Sequence, residues 1–218
     1  MKRAIIIIML TILMTGLFVV SGFAGEEHAR LLYMGQASIR IVTIEGKVIY
    51  IDPFAGDQYD LAADLILITH GHRDHTLAAP ALHEMFPDAA VYIHELDKGC
   101  VGIYRYPMDE LIGDALKFYD EGDTLPLGTL TVEVLLTPGH TGGSVCLKCG
   151  NALFTGDTLF AGSMGRIDLP GAQPDKMMSS LARLAKLEGD YDVYPGHMEP
   201  TTMARERQYN LYIKMLSL

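Results

Sequence analysis

His70-Gly71-His72-Arg73-Asp74-His75 places four metal-binding side chains within six residues. Three later groups, His140, Asp157 and His197, raise the total to seven. Each sits in a glycine-containing break just after a short apolar run, Leu65 to Thr69, Leu130 to Leu136, Ala152 to Thr155 and Tyr191 to Tyr194, as loops at the ends of strands present ligands from a rigid scaffold. Imidazole and carboxylate donors without thiolate suit zinc and other borderline first-row ions, and seven donors exceed what one tetrahedral ion can use. Two ions follow. His70 and His72, two apart on extended backbone, point to one side and would be completed by His140. Asp74 and His75 fall where the chain turns into a helix, which redirects them to a second ion completed by His197. Asp157, with two carboxylate oxygens, is the natural bridge.

Taken singly, several of these residues have a plainer use. Asp157 alone could be a turn residue in Thr155-Gly156-Asp157-Thr158, and His28, His83 and His94 read as structural or surface histidines. The six-residue cluster does not reduce this way, because four polar side chains so crowded have no structural task that fewer would not serve.

Hydrophobic patterning predicts strands near Arg30–Met34, Ser38–Ile44, Lys47–Ile51, Leu65–Thr69, Ala89–Ile93, Lys117–Tyr119, Leu130–Leu136, Ser144–Lys148, Ala152–Thr155 and Tyr191–Tyr194. Helices are expected over Thr76–Phe86, within Glu95–Ile112, over Asp175–Leu187 and from about Thr202 onward. In the third of these Met177, Leu181, Leu184 and Leu187 share a face, which makes them core rather than site.

The 218 residues, 49% hydrophobic and 20% charged, suffice for one substantial core and exclude a disordered or fibrous chain. Met1-Lys2-Arg3, the apolar stretch Ala4 to Val20 and the small residues Gly22 and Ala24 read as a signal peptide, residues 1–24, cut after Ala24 to leave one domain over 25–218. The competing reading is an uncleaved anchor, since the stretch approaches the roughly 20 residues that span a bilayer. The protein is thus expected to be periplasmic or secreted and to meet a membrane only if uncut. Without a convincing twin-arginine signal it would be exported unfolded and load metal outside, where zinc is favoured over manganese or ferrous iron. Loss of residues 1–24 removes two positive charges and no acid, moving the net charge from −10 to −12. That acidity argues against a nucleic-acid partner and leaves a small-molecule substrate. Cys146 and Cys149, three apart on an expected strand, would face opposite sides and, with Cys100, form no evident disulfide framework.

THGHRDH (69–75), TPGHT (137–141), FTGDTLF (154–160) and YPGH (194–197) resemble the signature of the metallo-β-lactamase superfamily, from about Leu31 to the C-terminus. GHTGGSVCL and LFTGDTLFAGSMGRIDLPG are most similar to the hydroxyacylglutathione hydrolase (glyoxalase II) branch, whereas LLYMGQASIRI and VIYIDPFAG look more like uncharacterised metal-dependent hydrolases of the same fold. The resemblance implies an α/β, four-layer αββα sandwich with two Zn²⁺ (alternatively iron) held at one edge between the sheets. In this family context Arg166, in GRIDLPG, could contact a substrate carboxylate or order the loop behind the metals, with a salt bridge to Asp168 as the structural alternative.

The expected reaction is hydrolysis of a small ester-like substrate. Water bridging two cations ionises near neutral pH, and one cation polarises the carbonyl it attacks. Asp74 would orient that hydroxide and carry its proton. A thioester is the leading substrate because its thiolate, with a pKa around 8.5, leaves without a protein acid. The alternatives are a lactonase, a persulfide dioxygenase with a single iron, and a non-catalytic metal-binding domain. The helical domain that binds glutathione in full-length glyoxalase II has no evident counterpart after His197, and β-lactam hydrolysis ranks low because lactamases of this fold usually differ at the position of Asp157.

Overall fold

The computed structural model describes residues 16–19, 29–35, 37–54, 59–99 and 106–216. The expected leader lies outside the described residues except for β1, Gly16–Val19. That strand opens a seven-stranded sheet, followed in spatial order by β2 (Arg30–Gly35), β3 (Ser38–Val42), β4 (Val48–Ile51), β5 (Leu65–Leu67), β6 (Ala90–His94) and β7 (Leu116–Tyr119). The first four strands are antiparallel, and β4 through β7 run parallel.

The second sheet contains β8 (Thr124–Leu127), β9 (Leu130–Leu136), β10 (Val145–Cys149) and β11 (Ala152–Gly156). A separate hairpin, β12 (Leu159–Phe160) and β13 (Ser163–Met164), interrupts it before β14 (Asp192–Pro195) and β15 (Thr201–Thr202) complete the order β15-β14-β11-β10-β9-β8. The two sheets face each other. Alternate residues of β3, Ile39 and Ile41, and of β9, Leu130, Val132 and Val134, point into the shared core with Phe154 and Tyr194, as the two-residue period of a strand requires.

Helices cover both outer faces. α1 (Arg73–Thr76), α2 (Ala79–Met85) and α3 (Met108–Ile112) lie on the side of the first sheet, where Ala79, Leu82 and Met108 pack with Tyr50, Ile66 and Val91. α4 (Pro174–Ala185), α5 (Met203–Tyr209) and α6 (Leu211–Met215) cover the second. There Met177, Leu181 and Leu184 meet Leu135, Leu153 and Val193, on the face that helical spacing predicted. Each of these side chains contributes about 1.5–3 kcal/mol by leaving water. The layers are therefore α, β, β and α. Cys146 joins the outer cluster and Cys149 the inter-sheet core, on opposite faces, and both are free thiols. Among the described residues no helix is long and apolar enough to cross a membrane.

Two expected helices are broken. The segment 76–86 splits because Pro80, in the first turn of α2, lacks an amide hydrogen and its ring would collide with the Thr76 carbonyl if the helix ran on from α1. The C-terminal helix divides at Asn210, whose extended backbone and side-chain oxygen cap α6 through the amides of Tyr212 and Ile213. Within Glu95–Ile112 a 3-10 turn, Glu95–Asp97, and α3 form, while 100–105, with Cys100, lie outside the described residues. Strands β8, β12, β13 and β15 are too short or too polar to stand out in the sequence.

Candidate metal centre

Strand direction decides where the seven groups meet. β9 and β11 are each antiparallel to β10, and β14 is parallel to β11, so all three end on one edge of the second sheet. His140, Asp157 and His197 follow those ends. The first sheet delivers its cluster from the end of β5. The two edges are joined where the Val145 amide donates to the Thr69 carbonyl at 2.9 Å.

The side chains form three overlapping groups, each with donor atoms within 4.8 Å of one another: His70, His72 and His140; His70, His75 and Asp157; and Asp74, His75 and His197. In the first, His72 Nδ1 lies 3.2 Å from His70 Nε2 and 2.8 Å from His140 Nε2. In the others, His197 Nε2 is 3.2 Å from Asp74 Oδ2 and 3.4 Å from Asp157 Oδ2, and His75 Nε2 is 3.4 Å from Asp157 Oδ1. Ligands about 2.0–2.1 Å from one tetrahedral ion are themselves separated by roughly 3.3 Å. His75 Nε2 and Asp157 Oδ1 are buried, have no other partner and face each other at 3.4 Å, the spacing of two ligands on one ion. The donor set and these two atoms fit divalent metal.

Electrostatics divide the centre in two. Burial, reinforced by His75 and His140, holds His70 well below the ordinary imidazole pKa, and burial with His140 lowers His72 to about 4. Both are then neutral at pH 7, the form that ligates metal. Burial also disfavours charge on His75, but the Asp52 and Asp157 carboxylates outweigh it and raise its pKa well above the usual value. His197 rises to about 9 through Asp157 and Asp74. Burial opposes ionisation of Asp157, yet His75 and His197 hold its pKa well below the carboxylate range.

His140 Nδ1 donates to the Arg166 carbonyl at 2.7 Å, which aims Nε2 at the centre. The Arg166 side chain forms a two-pronged, exposed ion pair with Asp168 and also lines a cavity of about 290 Å³ with His72, Asp74, His140, Asp157, Phe160, Leu169 and His197. Of the three histidines read as structural, His94 caps the 3-10 turn through the Leu96 amide and His83 is half-buried on α2. His28 lies outside the described residues.

Two buried carboxylates were not recognised in the sequence. Asp52 follows β4 and accepts from the Thr69 amide, the Thr69 hydroxyl and His75 Nδ1 at 2.6, 2.6 and 2.9 Å. Its φ of 48°, costly for a non-glycine residue, is sustained by those bonds. A signal for it existed, since an Asp ends the apolar run Val48 to Ile51 just as ligands end theirs. Asp97, in the turn after β6, had no comparable signal. At Gly196 a Cβ would press on the Asp157 carboxylate and stand 2.6 Å from His75 Cε1, so glycine is required beside His197.

Comparison with known proteins agrees with this architecture. The chain is 37% identical over 180 residues to an uncharacterised protein of Aquifex aeolicus, covering 76% of this chain and 85% of that one. It is 33% identical over 162 residues to a hydroxyacylglutathione hydrolase of Francisella philomiragia, covering 70% of this chain but only 59% of that enzyme. Among solved structures, TTHA1623 in a di-iron-bound form superposes with a TM-score of 0.64 at 31% identity, over 89% of this chain and 99% of that one. The B3 metallo-β-lactamase BLEG-1 gives 0.67 at 25% identity, over 92% and 99%. The family model of the metallo-β-lactamase superfamily matches residues 34–197, a span that includes all seven clustered side chains, and the chain belongs to that superfamily.

Proposed function

We propose that this protein is a dinuclear metal-dependent hydrolase of small ester-like substrates, with a thioester as the favoured one and zinc as the favoured metal. The observation that carries the reading is the convergence of three overlapping donor groups around the buried facing atoms His75 Nε2 and Asp157 Oδ1. His70, His72 and His140 would hold one ion, Asp74, His75 and His197 the other, and Asp157 would serve both. When bound, such a pair supplies an ionised water and a Lewis acid for a carbonyl.

The chain's own residues do the rest. Asp74, 39% exposed at its side chain, borders the cavity and can accept the proton released during attack. Phe160 and Leu169 provide apolar wall, and Arg166 offers a cation to a substrate carboxylate. The described residues lining the cavity include no acidic group apart from the carboxylates of the centre itself. A leaving group that departs as an anion near neutral pH therefore suits the site better than an amine, which favours a thioester.

The test is the metal content of the purified mature protein, paired with turnover of a thioester, a lactone and a cephalosporin. About two zinc ions per chain and fastest thioester turnover are expected. Fastest lactone turnover would replace the substrate assignment, while one iron without hydrolysis, or metal without any turnover, would overturn the hydrolase reading. The same proposal sets the working enzyme outside the cytoplasm after a cut behind Ala24, a cut that would also remove β1. N-terminal sequencing of the exported protein should begin at Gly25, and a start at Met1 would instead support the anchor.

A further inference from the structure

Two buried carboxylates brace the centre from behind its donors. Asp52 holds His75 directly and reaches His70 through Thr69, whose hydroxyl donates to Asp52 and lies 3.3 Å from His70 Nδ1. Asp97 instead grips only the loops that carry the three histidines. It emerges from the turn after β6, the strand parallel to β5, and is 3% exposed. Its Oδ2 accepts the Gly71 amide at 2.8 Å and the Thr141 hydroxyl at 2.6 Å, and its Oδ1 accepts the Gly143 amide at 2.9 Å.

Gly71 stands between His70 and His72, and Thr141 follows His140. One carboxylate thus fastens the loop of the first sheet to the loop of the second at the point where three imidazoles converge. The approach depends on glycine at both ends. A Cβ at Gly143 would sit 2.6 Å from Asp97 Oδ1, and one at Gly71 would strike the Asp97 backbone carbonyl. Thr141 is held further by Ser144, whose Oγ accepts the Thr141 amide at 3.0 Å and lies 2.7 Å from its hydroxyl.

We infer that Asp97 is a positioning residue for the three-histidine ion alone, so that this metal position can be weakened by itself through a carboxylate that ligates neither ion. This rests on the dinuclear reading above. The chemistry is that of outer-shell support: a ligand loop fixed before the ion arrives loses less freedom on binding, and removal of such support typically weakens metal binding about 10–100-fold.

The experiment titrates metal-stripped protein with zinc alone, with affinities from a competing chelator dye and stoichiometry from elemental analysis. Asp97→Ala should keep one ion at wild-type affinity and weaken the other about 10–100-fold. Asp97→Asn, whose carbonyl can still accept from Gly71 and Thr141 while its amino group faces the Gly143 amide, should fall between. Placing Asp97→Ala in a His197→Ala background should weaken the ion that remains, and in a His140→Ala background should leave the remaining affinity unchanged. Thermal melts of every variant report folding independently of metal.

Equal weakening of both ions in Asp97→Ala, or no weakening in either Asp97 variant, would overturn the inference while leaving the dinuclear centre intact. Failure of the wild type to take up two ions would instead overturn the reading beneath it. If Asp97→Ala does not fold, Asp97→Asn alone decides, because selective loss at one ion is not what a general loss of stability produces.

Discussion

Asp157→Ala is expected to abolish turnover and to leave less than one metal ion per chain. The carboxylate lies 3.4 Å from each of His75, His140 and His197 through its two oxygens, so its removal takes the shared anion from both halves at once. Losing one preorganised stabilising group typically costs about 10²–10³ in rate, and losing the group common to two ions should cost at least about 10³-fold in kcat/KM. His70→Ala should approach this effect, because His70 belongs to two of the three donor groups. Steady-state kinetics with elemental analysis on both variants checks the expectation. Full activity in either would remove the proposed centre.

The second large effect is on folding stability. Asp52→Ala leaves the Thr69 amide and His75 Nδ1 without their acceptor in a buried setting, and its loss should cost about 3–5 kcal/mol. Chemical denaturation of the metal-stripped protein measures this cost directly. Asp52→Asn can still accept from the Thr69 amide through its carbonyl and should lose less. If both variants unfold at the wild-type denaturant midpoint, Asp52 does not brace the centre. The same variants should bind metal more weakly at the position of His75, since the bond to Nδ1 fixes that ring's orientation and tautomer.

The candidate site was more legible than the secondary structure around it. All seven expected side chains converge, because their signal was chemical: rare residue types in glycine-containing breaks after apolar runs. The elements that failed did so for local reasons. The expected helix over 76–86 ignored what Pro80 does to the carbonyl four residues earlier, and the final helix hid the break that Asn210 makes by capping its successor. Strands β12 and β13 are two residues each, too short for any periodicity to register.

Asp52 and Asp97 mark a different boundary. Neither differs in type from the many acids on the surface, and each acts on residues distant in sequence, with partners 17 to 46 positions away. A local pattern can mark Asp52 as ending an apolar run, but it carries no information about which distant groups either carboxylate holds.

What the sequence determined by itself was which seven side chains cluster, the apolar face of Met177, Leu181 and Leu184, and the opposite sides taken by Cys146 and Cys149, which follow from residue chemistry and from the periods of strand and helix. The layered fold was legible only through the family resemblance that the clustered motifs carry. Only the tertiary structure decided which edge the donors share, how far apart their nitrogens and oxygens lie, and which buried carboxylates hold them there. Those depend on strand direction and on the packing of one sheet against the other, and both are set by contacts between segments far apart along the chain.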